Sequence, residues 1–174
     1  QAARIVDMGV EKVAVSSAAI ENPDLLRDMA AAVGKQSVVA VLDVRKKKGL
    51  FSKGYEVCTH NASRAIKEDP ITLACRLQEA GAGEVVINFV DNDGMMQGYD
   101  IDYASEFKRK LTVPVTFLGG AGTLDHISQL IGRLGVVGAA AGSLFVFKGK
   151  YRAVLINYPS PIQKLALCRD AMDN

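Results

Sequence analysis

The sequence has 174 residues, of which 49% are hydrophobic and 23% charged, a composition typical of an ordinary globular domain with a substantial core. The 21 basic and 19 acidic residues nearly cancel, which argues against a nucleic-acid partner, and no apolar stretch approaches the ~20 residues of a membrane span. Three widely spaced cysteines without a CxxC motif favour free thiols in a reducing compartment, so a cytoplasmic protein without a metal site is expected.

Short apolar segments alternate with helical patterns along the chain. Segments rich in β-branched residues predict strands at residues 12–15, 38–42, 84–90, 113–118 and 137–141. Periodicity, with capping residues at Asn22, Asp69 and Thr123, predicts helices at residues 2–8, 23–33, 70–80, 102–110, 124–134 and 161–172. Between residues 45 and 66 the helical pattern fails, and Gly49 and Gly54 indicate an excursion with a short hairpin.

Five strands alternating with helices predict a parallel α/β architecture, either an open doubly wound sheet or part of a closed barrel. No GxGxxG follows the first strand, which weakens the dinucleotide-binding interpretation. Small or polar residues at the C-terminal end of every strand favour the barrel. Because a barrel needs eight strands, we expect one partial barrel domain over residues 1–174, with residues missing upstream.

Glycine-rich segments follow the last two predicted strands. Gly119-Gly120-Ala121-Gly122 and Gly142-Ser143 each precede a predicted helix, and backbone amides at such positions can approach an anion closely. The loops after the last two strands of these barrels frequently bind phosphate. The alternative is that the glycines only permit tight turns.

Charged side chains stand at two other strand ends. Asp43 follows the strand at residues 38–42 and would enter the barrel mouth as an acid or base, or else cap a helix. Asp91 and Asp93 carry the same ambiguity. Asp93, paired with Gly94, could instead order the loop. The run at residues 45–48 could steer an anionic substrate, although a solvated loop is the better interpretation.

Taken together, the motifs resemble a known family. In chain order they are Lys12-Val-Ala-Val-Ser-Ser-Ala-Ala, Val41-Leu-Asp43, Gly81-Ala-Gly-Glu84, Asp91-Asn-Asp-Gly94 with Gly98-Tyr-Asp100, Gly119-Gly-Ala-Gly122 and Ala141-Gly-Ser143. They resemble the cyclase subunit of imidazole glycerol phosphate synthase, HisF. The resemblance implies strands four to eight of a (β/α)8 TIM barrel and no cofactor. It also implies ammonia-dependent ring closure that yields imidazole glycerol phosphate and an aminoimidazole carboxamide ribotide, with ammonia from a glutaminase docked at the N-terminal face.

The resemblance also implies roles for individual residues. Asp43 matches one of two catalytic carboxylates. The residues expected to bind the phosphorylated substrate are Ser16, Ser17, Asn88, Asp93, Gly94, Gly119, Gly120, Gly142 and Ser143. Lys12 and Glu84, at strand starts, match two members of the charged gate through which ammonia enters the barrel.

Departures from the family pattern keep two alternatives open. Leu118 stands where serine is usual, and residues 147–159 look more like a paralogue that serves glutamine-dependent amidation of a sugar in surface-polysaccharide synthesis. The missing strands would carry the other catalytic aspartate, so the chain alone is expected to be inactive. A non-catalytic half-barrel that acts as a binding module is the third hypothesis.

Overall fold

The structure is a computed structural model that describes residues 1–48 and 54–172. Over these ranges the chain is mixed α/β, built on a mainly parallel sheet, as the sequence predicts. Gly49, which helped to indicate the excursion, lies outside the described residues.

Helices and strands alternate through most of the chain. The α-helices are α1 Ala2–Asp7, α2 Ser17–Glu21, α3 Asp24–Val33, α4 Pro70–Glu79, α5 Ile101–Lys110, α6 Leu124–Leu134, α7 Ser143–Val146 and α8 Pro161–Met172. The strands are β1 Val13–Val15, β2 Val38–Lys46, β3 Tyr55–Thr59, β4 Arg64–Ile66, β5 Glu84–Phe89, β6 Val115–Leu118, β7 Gly138–Ala139, β8 Phe147–Lys148 and β9 Ala153–Val154. A short 3₁₀ helix, Lys35–Ser37, leads into β2.

The main sheet has the order β4-β3-β2-β5-β6-β7, with β1 also paired to β2. The pairs β1–β2, β2–β5, β5–β6 and β6–β7 are parallel. All five predicted strands are present, and the predicted hairpin is the antiparallel pair β3–β4. The carboxyl ends of the parallel strands therefore lie at one edge, where ligands bind in such folds.

Strand β2 continues beyond the predicted strand end. Asp43 lies inside β2, because the backbone from Asp43 to Lys46 pairs with β3. Arg45 is therefore part of a strand and not of a solvated loop, and its Nε donates to Glu56 Oε1 at 2.8 Å. This hydrogen bond raises the pKa of Arg45.

Other boundaries differ from prediction by a few residues. β6 begins at Val115, because Pro114 has no N–H to donate to the ladder, and β7 is only Gly138–Ala139. Helix α3 begins at Asp24 and not at Pro23, although Asn22 Oδ1 still accepts from the Asp24 N–H at 3.3 Å. The caps predicted at Asp69 and Thr123 are confirmed by hydrogen bonds of 2.8 and 3.3 Å.

The two faces of the sheet are covered to different extents. On one face Leu42, Ile87 and Phe117 are fully buried beneath the helices. On the other face the alternate residues, such as Val86 and Thr116, remain partly exposed. Parallel sheets are normally covered on both faces, so this second face lacks its usual cover.

The cysteines differ in exposure. Cys58 is buried, Cys75 is partly buried and Cys168 is exposed, and all three are free. Within residues 1–48 and 54–172, no three His, Cys, Asp or Glu side chains converge on a metal-binding arrangement. Across the same ranges, no helix has the length and apolar character needed to cross a bilayer.

Candidate functional site

A polar pair lies on adjacent strands near their carboxyl ends. Asp43 of β2 is in register with Asn88 of β5, and Asn88 is in register with Leu118 of β6. Asn88 Nδ2 donates to Asp43 Oδ1 at 2.8 Å. All three residues lie on the partly exposed face of the sheet. This face thus presents an oriented carboxylate, with the amide of Asn88 between it and the apolar Leu118.

Cys58 borders this pair from the antiparallel strand β3. It is opposite Asp43 in the ladder, and its thiol donates to the Asp43 carbonyl oxygen at 3.5 Å. Burial raises the pKa of Cys58, although the charge of Arg45 opposes that effect. A protonated, enclosed thiol is a poor nucleophile, so Cys58 packs beside the carboxylate and is not a candidate for covalent catalysis.

Two of the predicted substrate-binding residues carry buried polar atoms that lack partners. Within the described residues, Ser16 Oγ, Thr59 Oγ1 and Asn88 Oδ1 are buried and make no hydrogen bond. Leaving such an atom unpaired costs about 1–3 kcal/mol. Ser16 follows β1 and Asn88 lies near the end of β5, so two of these atoms are at the edge where the parallel strands end.

Ser17 contacts the hairpin and not the other predicted phosphate residues. Its Oγ accepts from the backbone N–H of His60 at 2.9 Å. Glu21 of the same short helix contacts His60 Nε2 at 2.9 Å. These contacts fix the β3–β4 turn on α2, and so Ser17 has a structural task in addition to any role in binding.

The loop after β5 meets the segment after β7. Gly94 faces Ser143 at a distance that would bring an added Cβ at position 94 into ordinary van der Waals contact, 3.8 Å from Ser143 Oγ. Asp93 lies in the same turn, where its backbone N–H donates to the Val90 carbonyl at 3.4 Å. Asp91 Oδ2 accepts from the Lys46 N–H at 2.7 Å. Asp91 therefore ties the loop after β5 to the end of β2, whereas the sequence suggested Asp93 as the residue that orders this loop.

The predicted phosphate-binding glycines fall into two groups. A Cβ on Gly119 would be 2.5 Å from the Phe89 carbonyl oxygen, and one on Gly120 would be 2.0 Å from the Gly98 carbonyl oxygen. Loop packing is therefore enough to explain this doublet. A Cβ on Gly142 would meet nothing within 4 Å, so Gly142 leaves open space beside Ser143.

At the opposite ends of the strands, Lys12 and Glu84 form an ion pair. Lys12 Nζ donates to Glu84 Oε2 at 2.5 Å, and Thr116 Oγ1 donates to Glu84 Oε1 at 2.7 Å. Burial tends to raise the pKa of Glu84, but the bonds from Lys12 and Thr116 outweigh it and hold that pKa below its usual value. The two predicted gate residues are thus in contact.

Some contacts around the site carry little signal in the sequence. Arg152 Nη2 donates to the Gly94 carbonyl at 3.1 Å from a segment with weak periodicity. Tyr99 OH donates to the Ala140 carbonyl at 2.7 Å, across 41 positions. Thr116 shares a face of β6 with Leu118 and alternates with the buried Val115 and Phe117, and that period-2 pattern is a signal that could have placed it on the face of Glu84.

Comparisons with known proteins agree with the resemblance found in the sequence. A model of the family described as histidine biosynthesis protein matches residues 1–152. The chain is 52% identical over 164 residues to a Vibrio vulnificus protein provisionally named imidazole glycerol phosphate synthase subunit hisF3. It is 48% identical over 167 residues to a Leptospira borgpetersenii protein with a provisional HisF name.

The same comparisons show how much of each relative the chain covers. The match takes in 94% of this chain but 62% of the Vibrio protein, and 96% of this chain but 65% of the Leptospira protein. A Streptomyces avermitilis protein named HisF without qualification is 37% identical over 144 residues, covering 83% of this chain and 56% of that protein. The chain thus spans less than two thirds of the length of these relatives.

Proposed function

Since the chain belongs to the histidine biosynthesis protein family, we propose that it is the larger part of an imidazole glycerol phosphate synthase cyclase subunit. The reaction is ammonia-dependent ring closure on a phosphorylated ribonucleotide, with lyase character. Relatives of this chain carry the name of that subunit. The observation in this molecule that best supports the assignment is the oriented pair of Asp43 and Asn88.

Asp43 is the acid–base group in this proposal. The amide of Asn88 donates to one carboxylate oxygen, and this fixes the carboxylate plane so that the second oxygen can exchange a proton with the substrate. Asn88 Oδ1 is buried without a partner among the described residues, and a substrate N–H or O–H group would satisfy it. Ser16 Oγ offers a second buried position for a substrate hydrogen bond.

The phosphorylated end of the substrate binds, in this proposal, beside Gly94, Gly142 and Ser143. The contact between Gly94 and Ser143 and the open space at Gly142 support this placement. Gly119 and Gly120 shape the neighbouring loop through their close packing. Asp93 lies in the turn that positions Gly94, while Ser16 and Ser17 bind the second phosphate near α2.

Lys12 and Glu84 form the ammonia gate in this proposal. Lys12 directly precedes β1 and Glu84 begins β5, both away from Asp43. Lys12 forms an ion pair with Glu84, and Thr116 donates a hydrogen bond to the same carboxylate. A glutaminase subunit docked there would deliver ammonia along the sheet toward Asp43. In this proposal the complex works in the cytoplasm.

The sheet is, in the same proposal, strands four to eight of a (β/α)8 barrel, and residues 1–174 form one partial domain. The partly exposed face carries Asp43, Val86 and Thr116, and the helices cover only the other face. Closing the sheet would bury that face. The relatives are longer than this chain by enough to supply further strands.

A second candidate function is amidation of a sugar with glutamine-derived ammonia. The chain is 52% identical to the relative with the provisional name hisF3 and 37% identical to the relative named HisF without qualification. Leu118 places an apolar side chain beside Asn88, in the row that Asp43, Asn88 and Leu118 form across the sheet. A substrate that needs a hydroxyl at that position would lose affinity.

Turnover on two substrates decides between the candidates. The whole gene product that contains this chain is incubated with ammonium salt and the histidine-pathway ribonucleotide, and the loss of substrate absorbance is followed. The cyclase proposal expects turnover. A folded protein that binds a glutaminase but turns over only a nucleotide-linked sugar would favour the second candidate. A stable dimer of the chain, inactive on both substrates, would support the binding-module hypothesis.

A further inference from the structure

The β8–β9 hairpin places an arginine against the loop that follows β5. Arg152 Nη2 donates to the Gly94 carbonyl oxygen at 3.1 Å and lies 3.5 Å from Met96 Sδ. The guanidinium also lies over the ring of Phe147, 6.0 Å from its centre. Two segments nearly 60 positions apart are therefore joined through one side chain.

The backbone holds Arg152 in an unusual conformation. Its φ is +48°, which is uncommon for a residue other than glycine and invites a functional explanation. Its N–H donates to the Gly149 carbonyl at 3.1 Å, and the Leu155 N–H donates to the Val146 carbonyl at 2.9 Å. These bonds fix the backbone of the turn, and the bond from Nη2 to the Gly94 carbonyl holds the guanidinium.

Gly94 is contacted from two directions. Ser143 Oγ lies near its α-carbon, and Arg152 bonds its carbonyl oxygen. The described residues place no carboxylate within ion-pair distance of Arg152. A guanidinium has five N–H donors in a planar fork that matches phosphate oxygens, and the bond to Gly94 leaves most of them for a ligand.

We propose that Arg152 is a specificity-determining residue that binds a phosphate monoester held beside Gly94 and Ser143. The proposal rests on the phosphate site proposed above and adds a cation to loops that otherwise offer neutral donors. The return strand β9 that fixes Arg152 lies beyond residue 152, where the family match ends. β8 and Arg152 itself lie within the matched residues, and only the return strand extends past the part that the family model describes.

The test measures binding of inorganic phosphate by titration calorimetry to the whole gene product that contains this chain and to its variants. Arg152→Met should weaken binding about ten-fold or more, because a hydrogen bond to a charged group is lost. Arg152→Lys should fall between that variant and the wild type, since lysine keeps the charge but not the fork. Lys148→Met is the matched control on the same hairpin and should bind as the wild type does.

The outcomes distinguish failure of the Arg152 proposal from failure of the proposed phosphate site. If the wild type binds phosphate and Ser143→Ala weakens it, but Arg152→Met does not, the role of Arg152 is wrong and the phosphate site stands. A structural role is tested by comparing the NMR amide resonances of Leu155 and Asn157 in the variants. If Arg152→Lys binds phosphate as the wild type does, while Arg152→Met binds weakly and shifts these resonances, the arginine only anchors the hairpin and the proposal is wrong. If the wild type does not bind phosphate, both proposals fail.

Discussion

Gly120 and Gly142 were predicted to share one role, but the structure gives them different surroundings. Gly120 has φ +110°, and a Cβ there would be 2.0 Å from the Gly98 carbonyl oxygen. The Gly120 carbonyl also accepts from the Gly98 N–H at 2.8 Å. Gly142 has φ −101° and open space around its α-carbon. The two substitutions to alanine should therefore affect stability very differently.

For Gly120→Ala the cost has two parts. A residue other than glycine at this φ is strained by about 1–3 kcal/mol, and the collision forces a shift of the kind that costs about 1–3 kcal/mol in packed regions. We expect a loss of about 2–6 kcal/mol in the free energy of unfolding, a large fraction of the stability of an ordinary domain. Gly142→Ala should change it by about 0.5 kcal/mol or less.

Urea denaturation followed by circular dichroism measures both variants on one scale. Gly142→Ala should keep the stability of the wild type and yet weaken phosphate binding, because the methyl group enters the open space beside Ser143. The reasoning is refuted if Gly120→Ala costs less than about 1 kcal/mol, or if the two variants are destabilised equally.

Three further predictions follow from individual contacts. Because the folded-state pKa of Glu84 is depressed by its contacts with Lys12 and Thr116, Glu84→Gln should cost about 1 kcal/mol at pH 7. That difference should begin to shrink as the pH falls below the unfolded value of about 4.3 and should be lost once the pH passes below the depressed folded-state pKa; a pH-independent difference would contradict the ion-pair explanation. Cys168 should react with a thiol reagent in the native protein and Cys58 only on unfolding, since burial encloses it and raises its pKa; fast labelling of both would refute this. Phe107→Ala should lower the free energy of unfolding by about 3–5 kcal/mol, because its side chain is fully buried, and a loss below about 1 kcal/mol in a chemical denaturation curve would contradict that packing.

The strands could be predicted because buried parallel strands are short apolar runs between breakers. Residues 38–42 and 84–90 show this pattern clearly, and the structure confirms both strands. The extension of β2 through Arg45 and Lys46 could not be predicted, because a basic run looks solvated until its partners are known. Those partners, Glu56 and β3, come from a hairpin that pairs at long range.

At the candidate site, the sequence could suggest residues but not how they meet. Asp43 and Asn88 are 45 positions apart, and their hydrogen bond depends on the register between β2 and β5. The difference between Gly120 and Gly142 depends on which carbonyl lies opposite each one. Arg152 could not be singled out from the sequence, because exposed basic residues are common and only the hairpin brings this one to the Gly94 carbonyl.

The most direct test of the central claim is the turnover rate of Asp43→Asn, with Asp91→Asn as the matched control. Both carboxylates lie at the same edge of the sheet, but Asp91 accepts a hydrogen bond from the Lys46 N–H and Asp43 accepts one from the Asn88 amide. The whole gene product should lose about 100-fold or more in kcat with Asp43→Asn and little with Asp91→Asn. If Asp43→Asn keeps more than about a tenth of the wild-type rate, Asp43 is not the acid–base group and the proposed chemistry of this site is wrong.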